Sequence, residues 1–102
     1  MRVVLCNCPL KDGERIARAV VEEGLAACVN LLPVRSVYRW KGAVEVDDEV
    51  ALWIKVAAEG IEPLRARLGE LHPYELPEIV ALAVDVDACS PAYVAWVRAG
   101  GG

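Results

Sequence analysis

Two long alternating arms that meet at Lys41-Gly42 constrain this chain more than any other stretch. Ser36-Val37-Tyr38-Arg39-Trp40 alternates into the turn, and Ala43 to Val46 returns from it. On the near side Leu25 to Leu32 is an apolar run that reads as the start of the first arm, with Pro33 marking a bulge or an edge. On the far side, past Asp47-Asp48-Glu49, Val50, Leu52, Ile54 and Val56 fall on one face of the second. The arms run to roughly 13 residues or more, where a typical strand has about 5–6. The two-layer body of a chain of 102 residues, one domain by length, cannot cover them. The distal half, with Tyr38, Trp40 and Val44, is expected to overhang. An isolated two-stranded ribbon is marginal in water, and an exposed aromatic patch on it points to a contact surface. A homo-oligomer is the economical expectation.

Composition supports that reading. Hydrophobic residues make up 56 % and mean hydropathy is +0.34, apolar for a chain with 25 % charged residues. A chain this small buries only about two thirds of its unfolded surface, so part of the apolar excess is available to an interface. The net charge of −4 leaves no electrostatic footprint for DNA or RNA. No apolar run approaches the ~18 residues of a membrane span, and no signal peptide opens the chain. Its expected location is the cytoplasm, where Cys6, Cys8, Cys28 and Cys89, with no C-x-x-C pair among them, read as thiols.

The other elements follow in order. Arg2 to Cys8 reads as a buried strand ended by Pro9, with Cys6 and Cys8 on the same face. Asp12 is placed to cap a helix running to about Glu23, whose apolar stripe is Ile16, Val20 and the Ala17/Val21 pair, and Gly24 to close it in the left-handed conformation. Ile61, Leu64, Leu68 and Leu71 define a second amphipathic helix, with Pro63 in its first turn. Ile79 to Val86, apolar at nearly every position, reads as a strand buried on both faces. Ser90-Pro91 opens a last helix packing through Tyr93, Trp96 and Val97, and Gly100-Gly101-Gly102 reads as a frayed tail. The order β-α-β-β-α-β plus a terminal helix is that of a ferredoxin-like α+β sandwich in a single domain, residues 1–102.

The chemistry concentrates in Leu71-His72-Pro73-Tyr74-Glu75-Leu76-Pro77-Glu78, which holds the only histidine. Each proline pushes its predecessor out of the α region, so His72 and Leu76 should be extended and the connector stiff. Imidazole and thiol suit copper or zinc, but only Cys6 and His72, with Cys8 or Glu78 as additions, are candidate ligands; so few make a weak, exchangeable site. The plainer roles are a helix-terminal His72 bonding the last free carbonyls of its helix, Cys28 and Cys89 as small buried hydrophobes, and Glu78 bonded to Lys55 or Arg39 of a neighbouring subunit. A Cys6/His72 nucleophile-and-base pair lacks an orienting third residue or an oxyanion site, and the chain has no Gly-rich phosphate loop, so a non-catalytic role is expected.

Leu25-Ala26-Ala27-Cys28-Val29-Asn30, Ser36-Val37-Tyr38-Arg39-Trp40-Lys41-Gly42, His72-Pro73-Tyr74-Glu75-Leu76-Pro77-Glu78-Ile79 and Tyr93-x-x-Trp96 resemble, in order and spacing, the CutA family of divalent-cation tolerance proteins. The resemblance covers nearly the whole chain. It implies a ferredoxin-like subunit in a tight homotrimer built through the long hairpin, a cytoplasmic location, and binding of divalent copper (Cu2+) by Cys6 and His72, with Zn2+ as another divalent candidate. Departures are Leu71, where some members have a second histidine, Cys8 at a position of small or hydroxylated residues, and Val56 in place of threonine. A trimer of this fold also resembles the PII signalling proteins, which bind small anionic effectors between subunits. Tyr38, Trp40, Lys55, Tyr74 and Glu78 would line such a cleft, with metal incidental. A trimer serving only to bind another protein is the third reading.

Overall fold

In the computed structural model, which describes residues 1–102, the two arms pair without interruption from Cys28↔Lys55 to Trp40↔Ala43. They are β2 (Cys28–Trp40) and β3 (Ala43–Val56), joined by Lys41 and Gly42, both at positive φ. The first strand, β1 (Arg2–Pro9), leads to α1 (Gly13–Glu22). After β3 come α2 (Ile61–Leu71), the short β4 (Val80–Ala83) and α3 (Pro91–Arg98). The sheet order is β2-β3-β1-β4 and every neighbouring pair is antiparallel, which is the ferredoxin-like arrangement.

The alternation of β3 fixes its two faces. Val50, Leu52, Ile54 and Val56 lie on one side, joined by Val4, Cys6 and Cys8 of β1. Ile16 and Val20 of α1 and Leu64 and Leu68 of α2 cover them, forming a single core cluster. Burying each large aliphatic side chain there is worth about 1.5–3 kcal/mol. Leu32, Trp53, Val80 and Leu82 lie on the opposite face, and each keeps more than 40 % of its surface exposed. Beyond the body the hairpin stays open: no residue from 34 to 48 is buried. The molecule is accordingly elongated, 44 × 27 × 21 Å, as the length of the arms required.

Several local expectations change. Asp12 precedes α1 but caps nothing with its side chain. A tight turn over Leu10–Asp12 puts it in the α region, and its carboxylate pairs with Arg15 at 3.0 Å instead. Gly24 does close α1 at φ +74, with Gly24 N–H donating to Val21 O and Leu25 N–H to Val20 O. That cap absorbs Leu25, so β2 begins at Cys28 rather than at Leu25. Pro33 sits in register opposite Val50, with no bulge, because β2 is an edge strand and needs no donor there.

The strand expected over Ile79–Val86, buried on both faces, is a four-residue edge strand with every residue exposed. It pairs only with Arg2–Leu5 of β1, and the two long helices cover the inner strands rather than this margin. The last helix is capped by Ser90, whose Oγ accepts Tyr93 N–H, but it packs through Val94 and Val97 against Met1. Tyr93 and Trp96 stack on each other at the surface, ring centres 5.6 Å apart. The glycine tail is not frayed at Gly100–Gly101. Gly101 N–H donates to Trp96 O, and its φ of +90 brings the backbone against Ala27, where a Cβ would stand 3.1 Å from the carbonyl oxygen.

Candidate functional site

α2 ends where the sequence requires, with His72 extended (φ −77, ψ 133) ahead of Pro73. The pairing of β4 with β1 stops at Leu5↔Val80, which leaves the outer edge of β1 free at Asn7. His72 occupies that edge. Its Nε2–H donates to Asn7 O at 2.7 Å, and its Nδ1 accepts the N–H of Tyr74 at 3.1 Å. These two partners fix the tautomer and use both ring nitrogens. The chain then passes to the uncovered face of the sheet, where the Tyr74 hydroxyl donates to Glu49 Oε2 at 2.8 Å. Glu49 is only 5 % exposed.

This wrap builds a cleft in two adjoining parts. The inner cavity, about 400 Å³, is lined by Asn7, Ser36, Val37, Tyr38, Glu49, Tyr74 and Glu78. The outer, about 330 Å³, is lined by Tyr38, Trp40, Pro73, Tyr74, Glu75 and Leu76. Tyr38 and Tyr74 are shared. Tyr38 donates to Asp47, and that bond, ahead of other nearby carboxylates, pushes its phenol up to about 12. The Tyr74 phenol is also raised, first by burial and then by its bond to Glu49.

Of the residues expected to line a cleft, Tyr38, Trp40, Tyr74 and Glu78 meet here. Lys55 does not. It pairs in register with Cys28 at the other end of β3 and donates to Asn30. Arg39, opposite Val44, falls on the face away from the cleft, and Glu78 makes no ion pair within the chain. Glu49 was missed. The period of two that put Val50, Leu52 and Ile54 on the core face already assigned it to the other side, and only the chain's return from His72 reveals that it is covered.

The expected metal ligands fare differently. Cys6 and Cys8 share a face, as the strand period required, but that face is the core, and both are fully buried. Burial first, then Cys8 and Glu78, pushes the Cys6 thiol up to about 12; burial, Asp12 and Glu49 push Cys8 up to about 11. Both are protonated at neutral pH, whereas a metal ligand is the thiolate. With His72 committed at both nitrogens, and no three His, Cys, Asp or Glu side chains gathered as a metal would need, the residues present do not fit a copper ion at Cys6 and His72. Cys28 and Cys89, expected in the core, are half-buried at its margin.

Sheet order, one-sided helices and overhanging hairpin together define a PII-like, ferredoxin-like fold. The structure is similar to the PII-like protein CutA from Nostoc sp. PCC 7120 in apo form, with a TM-score of 0.96 at 50 % identity over 100 % of this chain and 98 % of that one. It is similar also to the divalent cation tolerance protein (Cut A1) from Thermus thermophilus, with a TM-score of 0.91 at 42 % identity and full coverage of both. The chain belongs to the CutA1 divalent ion tolerance protein family, whose model matches residues 2–100. Protein CutA of Mus musculus is 46 % identical over 94 residues, 90 % of this chain, and this chain spans about half of that relative's length (52 %).

Proposed function

We propose that the chain works as a homotrimer and as a non-catalytic, PII-like ligand-responsive protein whose working site is the cleft between hairpin and loop. The observation that carries this reading is the cleft itself. Its walls, Tyr38 and Trp40 on the overhang and Tyr74 on the loop, lie along the distal half of a ribbon in which no residue from 34 to 48 is buried. Ribbon and uncovered sheet face together leave Val37, Val44, Val46, Trp53 and Leu82 exposed, an apolar surface that sister copies would cover. A ligand seated against the overhang can report its presence through the packing of the trimer. The four free thiols suit a reducing compartment, the cytoplasm.

Direct binding of divalent copper, or of Zn2+, is the second reading, and membership of the divalent ion tolerance family favours it. Under that reading Cys6 and His72 would have to leave the core and the β1 edge before they could serve as ligands.

Light scattering on the intact chain tests the first reading. The mass expected is three times the 11.0 kDa of one chain, and Val37→Asp with Val44→Asp on the exposed ribbon should lower it while the fold persists. A monomer at micromolar concentration would end the trimer. Calorimetric titration of Cu2+ and Zn2+ into the wild type and His72→Ala tests the second: equal isotherms remove His72 as a ligand, and loss of binding in the variant restores it.

A further inference from the structure

We infer that the cleft takes a small organic cation, a primary ammonium carried on an apolar or aromatic body; the inference rests on the cleft being the working site. The inner cavity offers the carboxylates of Glu49 and Glu78 and no lysine or arginine. Glu49 is withdrawn from solvent to 5 % exposure, yet its bond within the chain comes from a neutral phenol. The nearby cations are engaged or averted: Arg35 pairs with Asp48, Arg39 lies on the opposite face, and Lys55 donates to Asn30 at the far end. Glu45 and Asp47 continue the row of carboxylates along the same face of β3. Both wall phenols donate to carboxylates of this row, Tyr38 to Asp47 and Tyr74 to Glu49, and neither brings a positive charge. A nucleotide or other phosphate would meet like charge; an ammonium would meet two carboxylates in a partly desolvated recess.

The outer cavity sets the rest of the ligand. Tyr38, Trp40, Pro73, Tyr74 and Leu76 form a mostly apolar recess of about 330 Å³, room for a ring-sized group stacked on aromatic faces. The rim already displays the same chemistry in miniature, with the Lys41 ammonium 5.5 Å from the Trp40 ring centre and 3.8 Å from Glu75. A bare divalent ion finds neither three clustered ligands nor any use for the apolar half.

The test uses the full chain, labelled for amide NMR, with three probes of one shape: phenethylamine, 2-phenylethanol and 3-phenylpropionate. Phenethylamine should shift the amides of Ser36, Tyr38, Glu49 and Tyr74 saturably, with the alcohol at least about tenfold weaker and the carboxylate inert. Glu49→Gln should weaken the amine by roughly tenfold; Glu78→Gln, on an exposed residue, does the same without burdening the fold. Equal binding of amine and alcohol, or no effect of Glu78→Gln, overturns the ligand class. If the carboxylate or Zn2+ shifts those amides instead, the ligand class falls and the cleft stands. If none of the four moves them, both fall.

Discussion

Replacing Tyr74 with phenylalanine removes one oxygen from the contact that holds the loop to the sheet. Glu49 is 5 % exposed, and the Tyr74 hydroxyl at 2.8 Å is its hydrogen-bond partner within the chain. A hydrogen bond to a charged group is worth about 1.5–3 kcal/mol. Tyr74 is 38 % exposed, so water reaches its side of the contact and the lower end applies, about 1.5 kcal/mol. With a urea slope near 1 kcal/mol/M for a small domain, the unfolding midpoint should fall by about 1–1.5 M. The assay is urea unfolding at one fixed protein concentration, because assembly would otherwise move the midpoint by mass action. Combining Tyr74→Phe with Glu49→Gln closes a double-mutant cycle, and the expected coupling is about 1 kcal/mol. Tyr38→Phe, whose partner Asp47 is exposed, is the control and should shift the midpoint far less. An unchanged Tyr74→Phe midpoint with no coupling would refute the claim that this bond seats the loop.

A thiolate count separates the cysteines. With Cys6 pushed to about 12 from 9.0, its thiolate at pH 8 is about a thousandfold scarcer than an ordinary thiol's. Cys28 and Cys89 should react promptly with an aromatic disulfide reagent, and Cys6 and Cys8 only on unfolding; four fast thiols would contradict the buried assignment. The same shifts set a pH dependence. Both buried thiols have folded values above the unfolded one, so their contribution is whole below about pH 9 and is lost as pH climbs toward 11–12. Urea midpoints should therefore fall in that window, and a rise would contradict the sign. Gly101→Ala, at φ +90 and 3.1 Å from the Ala27 carbonyl, should cost about 1–2 kcal/mol in thermal or urea melts, while Gly102→Ala, facing open space, should cost nothing measurable.

Local rules made much of the fold legible. Alternation through Tyr38 and Trp40 and the mismatch between arm length and body size gave the overhanging hairpin, and the pair of prolines gave the stop at His72. What failed were inferences that needed the position of a strand in the sheet. Ile79–Val86 is as apolar as a central strand, but its place at the margin leaves Val80–Ala83 exposed, and nothing in its own residues states its neighbours. Tyr93 and Trp96 follow the same rule, since helical period names a stripe without saying which half of it meets the core. At the site, residue types identified the loop, and a register of β3 identified Glu49 in principle. The partners of His72 stayed hidden because one of them is the bare carbonyl of Asn7, to which no side-chain pattern points.

The most direct measurement is the state of the His72 ring nitrogens, read by nitrogen NMR before and after stoichiometric Zn2+. A latch bonded at both positions predicts a neutral ring with its proton on Nε2 and a bare, hydrogen-bonded Nδ1, unchanged by the metal. A ring with its proton on Nδ1, or a nitrogen resonance that moves in step with added Zn2+, would show that the imidazole serves as a ligand and not as the fastening of the cleft.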